Sequence, residues 1–309
     1  MEKGQPETGT SQSPQVVTFD AILPATMAAR AEESGVKRTS TDLATLLVLS
    51  VLAGAFIAFG AVFATTVGAG TIPITATDGA ATYSAALPYG VVRLLTGVAF
   101  SLGLILVVVG GAELFTGNNL IVMAWASGKV RTRDVLFNWV VAFVGNSVGA
   151  FTAAVLMFYT TQYTFGGGTV GLVALTTASA KTSLEFVPAV ALGVMCNALV
   201  CLAVWMCFSA RTTVDRVVTI IPPITAFVAA GFEHSIANVY FIPMGLFIKL
   251  GAPATFWTSI GKTANDFPSL TWTNFFIGNL LPVTIGNIIG GSVMVAAVYW
   301  FVYLRKRAN

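Results

Sequence analysis

The stretch that decides the fold is "GFEHSIAN", residues 231–238, together with its counterpart "GAELFTGN", residues 111–118. Both follow the pattern Gly-x-Glu-x4-Asn, and both lie inside long apolar runs. A second pair of matches follows one apolar run later, with "GNSVG" at 145–149 and "GNIIG" at 286–290. The chain therefore contains two related units, which is the sequence signature of an internal repeat.

The composition indicates what kind of protein carries this repeat. Of the 309 residues, 56% are hydrophobic and only 9% are charged, which is typical of an integral membrane protein. Apolar runs long enough to cross a bilayer occupy residues 43–67, 90–125, 136–160, 187–208, 217–248 and 275–303. We therefore predict an all-α membrane protein with six transmembrane helices. Because three is an odd number, two units of three spans enter the membrane in opposite directions and form a 3+3 inverted repeat.

The distribution of charge predicts how the chain is oriented. When both termini are placed on one side, all but four of the 16 basic residues fall on that side. The four exceptions are Arg93, Lys181, Lys249 and Lys262. Because basic loops stay in the cytoplasm, both termini are predicted to be cytoplasmic. The net charge of +3 is too small to indicate a nucleic-acid partner.

The chain before the first span divides into two segments. Residues 1–18 are polar and lack the pattern of a signal peptide, so we expect a disordered cytoplasmic tail. Residues 19–36 combine apolar side chains with charged ones, the pattern of a short amphipathic helix on the cytoplasmic surface or under the membrane domain. Residues 37–309 then form the domain of six transmembrane helices.

The second and fifth apolar runs are each too long for one helix and contain polar residues, so we expect both helices to break there. Freed backbone groups inside a bilayer have no water to bond, so the two breaks should meet at a protein-lined path. In one interpretation the glutamates cap the freed amides and the asparagines tie loop to helix. The residues assigned to the breaks are Gly111, Glu113, Gly117, Asn118, Gly231, Glu233 and Asn238.

His234 and Thr116 are better placed to face a solute. His234 is the only histidine of the chain. Burial favours its neutral form, which donates one N–H hydrogen bond, whereas a bound anion favours the protonated form. Thr116 supplies a hydroxyl from the other break, so a small anion could bridge the two side chains. The alternative is a histidine whose hydrogen bonds are satisfied within the core.

Patterns of enzyme chemistry are absent from the sequence, which has no "HExxH", P-loop or "GxSxG" motif. A single histidine cannot supply two imidazole ligands, and Cys196, Cys201 and Cys207 lack the spacing of a metal site. We interpret these cysteines as packing residues and predict no enzyme, metal or cofactor. A neutral-solute channel of the aquaporin or ammonia type is a competing interpretation, although the chain has no "NPA" pair and no second histidine.

The sequence resembles the formate/nitrite transporter family, and its formate channel branch in particular, in the stretches "LPATMAARAEESGV", "FSLGLILVVVGGAELFTGN", "CLAVWM", "GFEHSIANVYFIPMG", "FWTSIG" and "NLLPVTIGNIIGG". The resemblance implies an aquaporin-like protomer in a homopentamer, with one pore per protomer for small monovalent anions. It also implies a multi-pass protein of the bacterial inner membrane, in contact with lipid. A cytoplasmic formate-producing enzyme is a candidate partner of the N-terminal segment.

Several residue roles are carried over from the family by position. His234 resembles the central pore histidine, and Thr116 resembles the threonine of the flexible loop in the broken second helix. Lys181 falls where the family keeps a lysine in the loop before the fourth span, which is thought to draw anions into a vestibule; the alternative is a solvated loop charge. The residues matched to polar asparagines near the pore are Asn197 and Asn287, and those matched to constrictions or to the loop are Phe100, Leu104, Leu114, Phe115 and Phe227.

The chain departs from the formate channels just after Lys181. Ser183 and Leu184 stand where those channels have two histidines, and Pro188 stands in place of a glutamate. The motif "ELFTGN" is closer to nitrite-type members. The resemblance therefore predicts formate as the substrate, with nitrite, hydrosulfide or a short monocarboxylate as alternatives.

Two mechanisms are compatible with these residues. In the first, Lys181 raises the local anion concentration, and proton transfer from His234 lets the anion cross apolar constrictions as formic acid. In the second, His234 stays neutral and only donates a hydrogen bond. The segment at 24–35 is expected to close the cytoplasmic mouth at low pH, and a break at Gly117 is expected to let its loop move.

Overall fold

The computed structural model describes residues 21–70, 74–78, 81–85 and 87–305, so the predicted tail lies outside the described residues. The helices and strands are α1 (Pro24–Thr39), α2 (Leu43–Ala69), β1 (Ile74–Asp78), β2 (Ala81–Ala85), α3 (Tyr89–Gly110), α4 (Val122–Ala126), α5 (Thr132–Tyr159), α6 (Thr169–Thr182), α7 (Phe186–Cys207), α8 (Thr213–Ala230), α9 (Ser235–Gly251), α10 (Ala254–Ile260), α11 (Leu281–Ile288) and α12 (Val298–Tyr303). Short 3-10 segments span Gly117–Ile121, Gln162–Thr164 and Ala264–Asp266, and π-helical segments span Asn274–Leu280 and Ile289–Ala297.

Within the described residues, six helices are long and apolar enough to cross a membrane: α2, α3, α5, α7, α8 and the continuous last helix, Asn274–Tyr303. Helices α9 and α10 pass the same test as a pair that is bent by 112°. Large apolar side chains such as Phe59, Phe137 and Val298 are exposed on these helices, as expected of a surface that contacts lipid. The prediction of six membrane-crossing helices is confirmed, and the second and fifth predicted runs each contain more than one helix.

The prediction of an all-α chain is incomplete, because α2 and α3 are joined by a β-hairpin. Strands β1 and β2 pair antiparallel, from Ile74 opposite Ala85 to Asp78 opposite Ala81. The sequence of this region is rich in threonine and contains Asp-Gly, a combination that favours a two-stranded hairpin with a tight turn. The membrane-crossing part of the described chain is nevertheless helical.

The loop predicted before the fourth span is also more ordered than expected, because it contains α6. This helix ends at Thr182, and Lys181 lies in its last turn. The helix packs against α9, where a Cβ placed on Gly245 would lie 2.5 Å from the Cβ of Ala178. Lys181 is therefore carried by a packed helix rather than by a solvated loop.

The N-terminal amphipathic segment forms α1, which begins at Pro24 and continues three residues beyond the predicted end at residue 36. One face of the helix is buried, including Met27 and Ala31. A Cβ placed on Gly35 would lie 3.0 Å from the Cβ of Ala124, so α1 packs directly on α4. Its Glu32 forms an ion pair with Lys129 in the loop after α4.

The motifs "GNSVG" and "GNIIG" lie where two pairs of helices approach closely. A Cβ on Gly149 of α5 would lie 1.9 Å from the carbonyl oxygen of Val51 in α2. A Cβ on Gly290 of the last helix would lie 2.1 Å from the carbonyl oxygen of Val194 in α7. Glycine is needed at both positions because the backbones are nearly in contact, as is common between membrane helices.

Candidate functional site

The first break follows α3. Gly111 has a φ of +75°, which is the left-handed conformation that ends many helices, and the amide of Ala112 bonds back to the carbonyl of Val107 at 2.9 Å. The amide of Glu113 then bonds to the carbonyl of Leu49 in α2 at 3.2 Å. A non-helical loop therefore continues from Gly111 to Thr116, inside a shell of other helices.

The second break follows α8 and has the same geometry. Gly231 has a φ of +78°, and the amide of Phe232 bonds back to the carbonyl of Phe227 at 3.0 Å. The amide of Glu233 bonds to the carbonyl of Leu192 in α7 at 3.3 Å. The two predicted Gly-x-Glu stretches thus end their helices with the same backbone geometry.

Each break carries a glutamate that is bonded to a cation and an asparagine. Glu113 Oε2 lies 3.0 Å from Arg38 Nη1 and accepts a bond from Asn118 Nδ2 at 2.9 Å. Arg38 also donates to the side-chain oxygen of Asn118. The same Asn118 Nδ2 lies 2.8 Å from the side-chain oxygen of Asn138 in α5.

The second glutamate has equivalent partners. Glu233 Oε1 lies 2.8 Å from Lys181 Nζ, and Glu233 Oε2 accepts from Asn238 Nδ2 at 2.6 Å and from Asn279 Nδ2 at 3.2 Å. Asn238 Nδ2 lies 2.7 Å from the side-chain oxygen of Asn279. The predicted asparagines do connect loop to helix, but the glutamates are ion-paired rather than bonded to freed amides.

An asparagine in a glycine motif fixes the backbone of each break. Asn146 donates to the carbonyls of Ser50 at 2.7 Å and Glu113 at 2.9 Å, and its side-chain oxygen accepts from the amide of Phe115 at 2.8 Å. The bonds to Glu113 and Phe115 satisfy backbone groups of the loop that have no helical partner, and the bond to Ser50 ties the loop to α2.

Asn287 has the same role at the second break. It donates to the carbonyls of Gly193 at 2.8 Å and Glu233 at 3.0 Å, and it accepts from the amide of Ser235 at 2.9 Å. Asn197 donates to the carbonyls of Asn287 at 2.7 Å and Thr116 at 3.2 Å. The structure therefore places Asn197 and Asn287 in the support of the breaks, and solute contact by either residue stays a prediction.

The two breaks meet at Thr116 and His234. The Thr116 Oγ1 and His234 Nε2 atoms are 3.1 Å apart, and both residues are buried. His234 also caps α9, because its Nδ1 atom accepts a hydrogen bond from the amide of Ala237 at 3.1 Å. An amide N–H only donates, so Nδ1 is unprotonated and the neutral ring carries its proton on Nε2. His234 is thus the donor in its hydrogen bond with Thr116.

A cavity of about 460 Å³ reaches His234 from one side. We call it the Lys181 vestibule. Its lining includes the charged residues Arg93, Lys181 and Glu233, the rings of Phe100 and Phe227, and His234 itself. The Phe100 and Phe227 rings pack edge to face with centroids 5.6 Å apart, and the ring of Phe227 is stacked on His234 at 6.1 Å. Two of the predicted constriction residues, Phe100 and Phe227, therefore lie at the inner end of this vestibule, beside His234.

A second cavity of about 460 Å³ opens on the side of the molecule that carries α1. We call it the Arg38 vestibule. Its lining includes Leu104 and Leu114, both almost fully buried, and the charged residues Lys37, Arg38, Glu113 and Arg216. The Thr116–His234 pair thus lies between two vestibules, each of which ends in buried apolar side chains.

Phe115 and Gly117 differ from what was expected of them. Phe115 lines neither vestibule, and its ring packs edge to face against Trp139 and Phe143, so a constricting role has no support from this geometry. Gly117 begins a 3-10 segment, and a Cβ there would meet only an ordinary contact, 3.7 Å from Val204. The left-handed residue that breaks the chain is Gly111 instead.

Five residues of the site were missed by the sequence analysis. Arg38, Asn138 and Asn279 complete the glutamate clusters, Arg93 lines the Lys181 vestibule, and Phe241 stacks on Phe100 with centroids 6.3 Å apart. Lys181 Nζ lies 5.6 Å from the centroid of the Phe241 ring. The repeat could have revealed Asn138 and Asn279, because each precedes its glycine motif by seven residues.

Comparisons with known proteins agree with this architecture. The chain matches the model of the formate/nitrite transporter family over residues 25–301. It is 44% identical over 288 residues to the formate channel FocA of Escherichia coli (strain K12), which covers 93% of this chain and 96% of that protein. It is 38% identical over 245 residues to the formate channel FocA of Haemophilus influenzae, with 79% of this chain and 82% of that protein covered.

Two solved structures are similar to the fold. One is described as a pentameric formate channel with formate bound, with a TM-score of 0.76 and 44% identity over 85% of this chain and 98% of that one. The other is described as an FNT family ion channel, with a TM-score of 0.70 and 26% identity over 89% of this chain and 98% of that one. Members of this family are transporters and channels rather than enzymes. The chain belongs to the formate/nitrite transporter family.

Proposed function

We propose that this protein is a multi-pass membrane channel that conducts small monovalent anions, with formate as its main substrate. The observation that carries the proposal is the buried pair of Thr116 and His234, which lies between two vestibules and joins two breaks of the chain. The similarity to channels named for formate supports the choice of substrate. The similarity to a channel described as pentameric supports a homopentamer.

The proposal includes an aquaporin-like protomer with an inverted repeat. The matching contacts at the two breaks support it: Arg38, Glu113 and Asn118 correspond to Lys181, Glu233 and Asn238. With three spans in each unit, the repeat places both termini on one side, and the excess of basic residues there favours the cytoplasm. The Arg38 vestibule is then cytoplasmic and the Lys181 vestibule faces outward.

In this mechanism an anion accepts hydrogen bonds from two groups at the centre. The His234 Nε2–H donates to Thr116 in this structure and can turn to a carboxylate, and the Thr116 hydroxyl can donate as well. The buried rings of Phe100 and Phe227 on one side, and Leu104 on the other, oppose a hydrated ion because they cannot replace its water. Only a small solute that sheds its water can reach the pair.

The geometry favours the mechanism in which His234 stays neutral. A neutral imidazole can transfer a proton to an anion only after a second proton has bound at Nδ1. That atom already accepts the amide hydrogen of Ala237 at the start of α9. A proton relay through His234 therefore requires the first turn of α9 to open, whereas hydrogen-bond donation from Nε2 requires no such change.

The test compares wild type with His234→Asn in proteoliposomes, with formate, nitrite and lactate offered at several pH values. An asparagine cannot bind a proton at these pH values, and its shorter side chain ends at the level of Nδ1, so it does not replace the Nε2–H donor. In wild type we expect the formate flux to exceed the nitrite and lactate fluxes. In the variant we expect the formate flux to fall about tenfold or more, because a hydrogen bond to a charged group is lost, and to keep its pH dependence. Loss of the pH dependence would support the proton relay, and a preference for nitrite would reassign the substrate within the family.

A further inference from the structure

The net charge of the Lys181 vestibule does not come from Lys181. Its ammonium group lies 2.8 Å from the Glu233 carboxylate, and the side chains are only 14% and 5% exposed. The pair is therefore close to neutral for an anion that approaches from the vestibule. Among the described residues that line this cavity, the remaining charged side chain is Arg93.

Arg93 contacts the negative end of a helix. It projects from the first turns of α3, and its Nε atom donates to the carbonyl of Ala229 at 3.2 Å. Its Nη2 atom donates to the carbonyl of Val228 and would lie 3.5 Å from a Cβ on Gly231. These are the last carbonyls of α8, where the peptide dipoles sum to about half a negative charge.

The C-terminal end of α8 lies where it would repel an anion that moves through the vestibule. Helix α8 ends one turn after Phe227, and three residues separate its end from His234, which lines the same vestibule. An anion on its way to His234 would meet the exposed carbonyls of α8, which repel it. A guanidinium bonded to those carbonyls cancels the repulsion and leaves a net positive charge.

The other vestibule has a comparable arrangement. Arg216 lies in the first turn of α8 and lines the Arg38 vestibule, whose lining also includes Val108 and Gly111 at the end of α3. Each of the two packed helices therefore brings an arginine from its first turns to the vestibule in which the other helix ends. Two arginines in matching positions are more readily explained by a role in the vestibules than by chance.

We propose that Arg93 is the residue that attracts and stages anions in the Lys181 vestibule, and that it does so by covering the C-terminal end of α8. Two of its five N–H groups donate to the carbonyls, and the guanidinium carries a positive charge. A carboxylate bound there would next reach the constriction formed by Phe100 and Phe227. This inference rests on the proposed function as an anion channel.

The experiment measures the initial rate of formate uptake into proteoliposomes against formate concentration, at low and high ionic strength. The variants are Arg93→Gln, which removes the charge, Arg93→Lys, which keeps it, and Lys262→Gln, an exposed lysine that does not line the vestibule. We expect Arg93→Gln to raise KM about tenfold with a smaller change in maximal rate, because charged clefts concentrate ions by this order or more. Its KM should also depend less on salt than that of wild type.

Arg93→Lys should recover most of the wild-type KM, and Lys262→Gln should match wild type in both parameters. A purely structural role for Arg93 would lower the maximal rate and leave the salt dependence of KM unchanged, and that result would overturn the inference. Equal impairment in Arg93→Lys and Arg93→Gln would also overturn it. Size-exclusion chromatography checks that each variant is folded. An absence of anion flux in wild type would instead reject the proposed function itself.

Discussion

Asn146 and Asn287 each bond two backbone groups of a broken helix and tie them to a carbonyl of a neighbouring intact helix. Every polar atom of the Asn287 side chain is used on backbone: its amide nitrogen on Gly193 and Glu233, and its oxygen on Ser235. Inside a bilayer, water is not available to satisfy these groups. A side chain with two donors and one acceptor oxygen at fixed geometry is therefore what holds the loop in place.

This argument predicts that Asn287→Ala is strongly destabilising. The change leaves the Ser235 amide without its acceptor and the Glu233 carbonyl without its donor, whereas the Gly193 carbonyl lies inside α7 and keeps its helical donor. We expect a loss of about 2–4 kcal/mol, at about 1–3 kcal/mol for each unsatisfied group. Thr284→Ala is the control, because its hydroxyl bonds only within its own helix, to Leu280. The melting temperature of the purified protein in detergent measures both, and equal values for the two variants would contradict the prediction.

The sequence predicted some of these residues because the signal was local and repeated. The spacing of Gly, Glu and Asn located both breaks, and the lone histidine drew attention to His234. Arg38 and Lys181 reach their glutamates from 75 and 52 residues away, and no local pattern indicates such a pairing. Arg93 was missed for the same reason, since its partners are backbone carbonyls 135 and 136 residues later.

The helices of each half approach so closely that glycine is required at their crossing. A Cβ on Gly286 would lie 2.2 Å from the carbonyl oxygen of Val190, and one on Gly149 would lie 1.9 Å from that of Val51. Close approach is what brings Asn146 and Asn287 within reach of the backbone of α2 and α7. The glycine contacts and the asparagine bonds are therefore two parts of one arrangement.

Gly286→Ala should accordingly force α7 and the last helix apart. We expect a destabilisation of about 1–3 kcal/mol, as for other overpacked sites, and a loss of flux because Asn287 is carried with the helix. Gly278→Ala, in the same helix, is the matched control: its Cβ would meet only Asn274, at 3.8 Å, so stability and flux should be kept. Melting temperature and formate flux are measured for both, and a well-folded, fully active Gly286→Ala protein would show that the close approach is dispensable.

Whole elements were predicted to different degrees for physical reasons. Continuous apolar runs identified the membrane helices, because length and hydrophobicity are sufficient for that purpose. The β-hairpin and α6 were overlooked, since each is short and lies between strong membrane signals. The two π-helical segments of the last helix have no signature in residue type that the sequence analysis could have used.

For the molecule as a whole, the two halves contain equivalent charge clusters at opposite vestibules. Arg38 and Glu113 lie 3.0 Å apart, and Lys181 and Glu233 lie 2.8 Å apart. The clusters differ in depth: the side chains of the first pair are 26% and 13% exposed, against 14% and 5% for the second. Loss of one partner should therefore cost more in the second cluster, because water can compensate less.

The corresponding variants are Glu113→Gln and Glu233→Gln. Each leaves a cation without its counter-ion but keeps the shape of the side chain and a hydrogen-bonding group. We expect a loss of about 3 kcal/mol for Glu233→Gln, at the lower end for a broken buried ion pair, and a smaller loss, about 1–2 kcal/mol, for the better solvated Glu113→Gln. Each is compared in melting temperature with a double variant that also removes the cation, Arg38→Gln or Lys181→Gln.

The double variants decide whether the clusters contribute through charge pairing. If an unpaired buried cation is the source of the instability, then Lys181→Gln added to Glu233→Gln should restore part of the melting temperature, because two neutral groups can share a hydrogen bond where one bare charge cannot be solvated. The Arg38 and Glu113 double variant should show the same recovery on a smaller scale. Additive losses in both clusters would instead mean that each side chain acts independently, Arg38 and Glu113 through Asn118, Glu233 through Asn279 and Lys181 through the Phe241 ring. The equivalence of the two halves would then be one of shape rather than of charge.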